Sequence, residues 1–175
     1  NAIGMNMGQK NSAFGAWAMA SNATGTNNLA FGYYSLYGNL DGNQNVGIGS
    51  QTLQSNESGN DNVAIGYQSL LNNYNGKNNV AIGSLALDTN KFGSNNVAIG
   101  YRALYYNGRS KADYQLDLFG NVAIGAEAGS NNTLGYNNVF VGLESGMYST
   151  SSENVFLGAG SGRNNKGTRN VFIGF

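Results

Sequence analysis

The sequence predicts an all-β fold: a parallel β-roll, or β-solenoid, of about eleven short coils. Three observations point to it. The five residues Asn-Val-Ala-Ile-Gly stand whole at 62–66, 79–83, 96–100 and 121–125, and close variants end at Gly4, Gly15, Gly32, Gly49, Gly142, Gly158 and Gly174. The gaps between successive closing glycines are 11, 17, 17, 17, 17, 17, 25, 17, 16 and 16 residues. A second glycine follows the motif glycine by ten residues in most coils, as at Gly42, Gly59, Gly76, Gly93 and Gly135. A chain that repeats itself in this way stacks one small unit, so its function belongs on an extended surface rather than in one pocket.

The first element of each coil is the motif strand. Val63-Ala64-Ile65 is too short and too β-branched for a helix. Strand side chains alternate, so Val and Ile share one face and are expected to fill the roll. The middle residue is then expected to point outward. It is Ala2, Ala13, Ala30, Gly47, Ala64, Ala81, Ala98 and Ala123, and then Phe140, Phe156 and Phe172. A ladder of small residues followed by Phe calls for a dry partner, most simply another copy of the chain. Ala64, Ala81, Ala98, Ala123, Phe140, Phe156 and Phe172 are therefore the expected oligomer interface. The alternative is a two-sided core within one chain.

The second element follows the motif glycine: Ser35-Leu36, Thr52-Leu53, Ser69-Leu70, Ala86-Leu87 and Ala103-Leu104. The Leu then gives way to Gly129, Gly146 and Gly162, where Phe enters the motif strand. The exchange predicts that the two positions share one space, since packed interiors conserve volume. The third element is a turn. Both glycines of each coil are expected at backbone angles that other residues avoid.

The motif Asn recurs at Asn11, Asn28, Asn45, Asn62, Asn79, Asn96, Asn121, Asn138, Asn154 and Asn170. Stacked coils place these residues above one another, so their amides are expected to form a hydrogen-bonded ladder.

Composition narrows the function. Nine basic residues balance nine acidic ones and only 10% of residues are charged, which argues against a nucleic-acid partner. No segment reaches the apolar length of a membrane span, so no membrane insertion is expected. The 175 residues contain no Cys and no His, which removes thiolate metal sites and the commonest general base. We expect no cofactor, no metal and no enzymatic activity. The 27 Gly and 30 Asn could signal disorder, but disorder does not place Val, Ile and Leu at one phase of every repeat. The chain opens inside one motif and closes one residue past another, so it reads as an internal stretch of a longer fibrous protein. Its single repeat domain, 1–175, divides into Ala/Leu coils over 1–104, an insertion over 105–119, and a transition to Phe/Gly coils over 120–175.

The run Asn-Val-Ala-Ile-Gly-Tyr-Gln-Ser-Leu at 62–70 resembles the head repeats of trimeric autotransporter adhesins. The longer 17-residue form is also similar to repeats of phage tail-fibre proteins. The resemblance covers nearly the whole chain. It implies a homotrimer, an extracellular place on a virion or bacterial surface, and a host cell-surface glycan or protein as partner. The coils here are longer than those usual in adhesin heads, and the Phe/Gly coils depart from the pattern. The expected function is a structural and adhesive segment of a viral or phage attachment fibre. The alternatives are the head of a bacterial trimeric adhesin and a polysaccharide-degrading tailspike.

Eight extra residues between Gly100 and Gly125 mark a surface loop, where solenoids often bind partners. Tyr105, Tyr106, Arg109, Lys111, Asp113, Tyr114 and Asp117 are the candidate receptor residues, because aromatic rings beside charges suit sugar or protein recognition. Asp113, Asp117 and Glu127 are the acids that a glycosidase reading would use. Tyr33, Tyr67 and Tyr101 recur every second coil and form either a sugar-binding track or a cover over the core. Asn22, Asn56 and Asn131 match glycosylation acceptors.

Overall fold

The computed structural model describes residues 7–108 and 120–175. Among the described residues, ten three-residue strands form one parallel sheet in sequence order. They are β1 (Ser12–Phe14), β2 (Leu29–Phe31), β3 (Val46–Ile48), β4 (Val63–Ile65), β5 (Val80–Ile82), β6 (Val97–Ile99), β7 (Val122–Ile124), β8 (Val139–Val141), β9 (Val155–Leu157) and β10 (Val171–Ile173). The chain is a β-solenoid of about nine turns with a period near 17 residues. The eleventh motif, at Asn1–Gly4, lies outside the described residues.

Pairing is in register throughout: Val63 lies beside Val80, Ala64 beside Ala81 and Ile65 beside Ile82. The 25-residue repeat does not break it, because β6 pairs with β7 as Ala98 beside Ala123. The register of the stack is therefore the same on both sides of the insertion.

The strand faces are the reverse of the expectation. Ala30, Ala64, Ala81, Ala98, Ala123, Phe140 and Phe156 are fully buried inside the single chain. Val and Ile flank them on the outer face, with Ile82, Ile99 and Ile124 each more than one-third exposed. The roll is thin, and that decides the orientation. Leu36, Leu53, Leu70, Leu87 and Leu104 of the second run are fully buried against the middle strand residue. One coil has room for one large side chain, so Leu faces Ala. In the later coils Phe faces Gly. A Cβ on Gly129 or Gly146 would collide with the Phe140 ring, and one on Gly162 with the Phe156 ring. The shared space lies within one chain. Ala64, Ala81, Ala98, Ala123, Phe140 and Phe156 are thus core residues and not an oligomer interface. Phe172, in the last coil, stacks on Phe156 at 5.1 Å and is the one member of the set that is part exposed.

Hydroxyls tie the second run to the strand of the following coil. Ser35 Oγ donates to the Gly47 carbonyl at 2.9 Å, and Ser69 Oγ to that of Ala81 at 2.9 Å. The second run itself is not a strand. Its Leu residues hold left-handed backbone angles, with φ near 50° at Leu36, Leu53, Leu70, Leu87 and Leu104. Such angles are costly for a bulky residue and persist only where packing and hydrogen bonds enforce them. Gly129, Gly146 and Gly162 keep the same angles at 57°, 60° and 62° without that cost.

The two repeating glycines serve different ends. The motif glycines lie at positive φ, as expected; Gly66 has φ 128°. The turn glycines do not. Gly76 is required by space, because a Cβ there would strike the Asn73 amide and the Gly93 carbonyl.

Candidate functional site

Two Asn ladders run along the turn edge. In the first, Asn62 Nδ2 donates to Asn45 Oδ1 at 3.0 Å, and Asn79 Nδ2 to Asn62 Oδ1 at 3.1 Å. Asn28, Asn96, Asn121, Asn138, Asn154 and Asn170 continue this row through backbone or side-chain bonds to the Asn of the preceding coil. The second ladder was not anticipated. It is built by Asn22, Asn39, Asn56, Asn73, Asn90 and Asn107, all fully buried. Asn73 Nδ2 donates to Asn56 Oδ1 at 2.7 Å, and Asn107 Nδ2 to Asn90 Oδ1 at 3.1 Å. Its signal was present as an Asn three residues before each turn glycine. The two ladders converge, since Asn62 and Asn73 both donate to the Gly76 carbonyl, at 2.9 and 3.0 Å. Burial in this ladder withdraws Asn22 and Asn56 from glycosylation, which needs an accessible amide.

Asn121 Nδ2 donates to Asn107 Oδ1 at 3.2 Å, which closes this edge across the 25-residue repeat. Arg109, Lys111, Asp113, Tyr114 and Asp117 lie outside the described residues. Tyr105 and Tyr106 are described and meet edge to face at 4.4 Å.

Around Tyr105 the structure assembles a polar cluster from three coils. The Arg102 guanidinium lies 4.6 Å from the Tyr105 ring centre and 3.8 Å from the Glu127 carboxylate. Thr89 Oγ1 donates to the Tyr105 carbonyl at 2.7 Å. The Asp88 side chain bonds to that of Tyr105. Asp88 is only 5% exposed. Burial pushes its carboxyl up to about 6, and the Tyr105 hydroxyl offsets part of that rise. Burial, with Asp88 alongside, also raises the Tyr105 phenol. Glu127 is thus engaged with Arg102. The cluster braces Tyr105, and through its ring Tyr106, at the start of the 105–119 stretch. Asp88, Arg102 and Thr89 were not singled out for this role, because their proximity depends on stacking coils five, six and seven.

The outer faces carry two more features. The Val/Ile strand face forms a continuous apolar strip, ending at coils one and two in Phe14 and Phe31, whose rings stack at 4.9 Å. Beside it, past the motif glycine, Tyr33, Tyr67 and Tyr101 are 52%, 51% and 49% exposed. About half of each residue is left open to solvent.

Among the described residues no group of three or more His, Cys, Asp or Glu side chains is placed to hold a metal ion. No described helix is long and apolar enough to cross a membrane. Comparison with known protein families, with curated proteins and with solved structures finds no match for this chain.

Proposed function

We propose that this chain is a structural and adhesive segment of an extracellular homotrimeric fibre of the viral or phage attachment kind. The observation that carries the reading is the outward Val/Ile face. Ten strands at ~4.8 Å spacing make a strip roughly 43 Å long. An apolar strip of that length calls for a partner. A second copy of the same chain has the same period and stays level with it along its whole length, whereas a partner of another period drifts out of register. Three-fold packing is what the resemblance of 62–70 to trimeric repeats adds. The Ala/Phe ladder then has the inner role, and Val and Ile join the chains.

The rest of the molecule suits such a part. Both Asn ladders and the inter-coil hydrogen bonds leave little backbone for a protease to engage. The head of a bacterial trimeric adhesin is the second reading, favoured by the same strand motif. Flanking sequence separates the two: a membrane-anchor barrel marks an adhesin, and a fibre-folding chaperone domain marks a phage fibre.

Sedimentation equilibrium tests the assembly. The native chain is expected at three times its 18.4 kDa mass. Ile82→Asp, on the outer strip, is expected to sediment as a single folded chain. A native single chain, or an Ile82→Asp variant that associates as well as wild type, overturns the reading.

A further inference from the structure

We propose that the row Tyr33, Ser50, Tyr67, Ser84 and Tyr101 is an axial binding track for an uncharged, extended polysaccharide whose repeat is two sugars. The proposal gives the adhesive reading a ligand class and rests on it only for the track's place on an exposed fibre.

The row is real in the fold. Gln51 N donates to the Tyr33 carbonyl at 2.7 Å, Gln68 N to that of Ser50 at 3.0 Å, Leu85 N to that of Tyr67 at 2.9 Å and Arg102 N to that of Ser84 at 3.0 Å. These bonds hold the five residues in one line along the stack. The three rings are equally exposed, at about half of each residue's surface. They recur every second coil, ~10 Å apart at strand spacing. An extended β-1,4-linked chain turns the same face outward at every second sugar, and its two-sugar repeat is of similar length. Each Tyr can therefore meet the apolar C–H face of equivalent sugars. Ser50 and Ser84 place a hydroxyl level with the sugars between.

The flank is uncharged. Gln68 Nε2 donates to Gln51 Oε1 at 3.0 Å, a pair of amides beside the Tyr67 ring suited to sugar hydroxyls. At the first coils Trp17 and Tyr34, with ring centres 6.1 Å apart, widen the aromatic platform. No Asp, Glu, Lys or Arg occupies 33–34, 50–51, 67–68 or 84–85. The first charge met is Arg102, already engaged by Glu127 and the Tyr105 ring. That selects a neutral glycan over an acidic one. It also disfavours a protein partner, whose variable side chains do not repeat every two coils.

Calorimetric titration of the full chain with cellobiose, cellotetraose, cellohexaose and maltohexaose tests the proposal. Affinity is expected to rise by roughly 5–10-fold for each added pair of β-linked sugars, as each engages another ring. The helical α-linked maltohexaose cannot keep the register and is expected to bind no better than cellobiose. Tyr67→Ala is expected to weaken cellohexaose binding by about tenfold, whereas Tyr67→Phe keeps the ring and the affinity. Cellohexaose binding no tighter than cellobiose, equal binding of maltohexaose, or an unchanged Tyr67→Ala overturns the proposal. A three-chain particle that binds none of these sugars removes the track and leaves the fibre reading standing.

Discussion

The Phe140 ring fills the space that a side chain on Gly146 would need. Leu104, two coils earlier than Gly146 in the second run, lies in a coil whose strand carries Ala98 instead. The two arrangements are alternative ways to fill one narrow interior, and they can be exchanged only as pairs. Phe140→Ala is expected to cost about 3–5 kcal/mol through the cavity it leaves. Gly146→Leu alone is expected to be destabilising through overpacking and its left-handed backbone. The double variant Phe140→Ala/Gly146→Leu restores the Leu/Ala arrangement and is expected to be more stable than either single one. Urea unfolding of the three variants checks this; additive losses would contradict it.

The second Asn ladder makes a separate prediction. Asn73→Ala removes donors to Asn56 Oδ1 and the Gly76 carbonyl, and takes from Asn90 its acceptor. Each buried group left without a partner costs about 1–3 kcal/mol. The loss is expected to be local, since each coil contacts only its neighbours. Hydrogen exchange should quicken in the turns around residues 56–60, 73–77 and 90–94 and stay unchanged near Asn154. Uniform quickening along the chain would contradict a nearest-neighbour stack.

Asp88 gives the chain a pH dependence of definite sign. Its carboxyl titrates at about 6 in the fold, above its ordinary value near 3.8. Between those values the folded chain holds a proton that the unfolded chain has released. Stability from this group is therefore full below about pH 4 and declines as pH rises through about 6. A shift of that size is worth at most about 3 kcal/mol. Asp88→Asn keeps a polar partner for Tyr105 without the buried charge. It is expected to be more stable than wild type at pH 7, with the difference vanishing near pH 4. Denaturant midpoints of the two proteins across that range measure it, and parallel pH curves would contradict the assignment.

Much of this architecture was legible because a repeat states its own period. The coil length, the parallel in-register stack, the motif Asn row and the Leu-for-Gly exchange against Phe can all be read from spacing. Which way the strand faces could not be read so simply. Val63 and Ile65 are the larger apolar residues, and hydrophobicity places them inside. Thickness decides otherwise, because Leu70 already occupies the interior and leaves room only for Ala64. The exchange of Leu for Phe held the clue: a residue that trades volume with a core Leu must itself be in the core. The Asn73 row was missed because a chain with 30 Asn hides one more period among them. The Asp88–Tyr105–Arg102 cluster depends on three coils and has no local signature.

Copies of this chain are proposed to meet through the outer Val/Ile strip in register. The chain has no cysteine, so Ile82→Cys supplies its one thiol, and any covalent link must run through it. The proposed three-fold packing about that strip would bring equivalent Ile82 positions together. Oxidation of the native-state variant is therefore expected to yield a disulfide-linked pair on a non-reducing gel, while Tyr67→Cys, on the next face, yields single chains. An Ile82→Cys protein that stays single under oxidation, or one that crosslinks no better than Tyr67→Cys, would contradict the account.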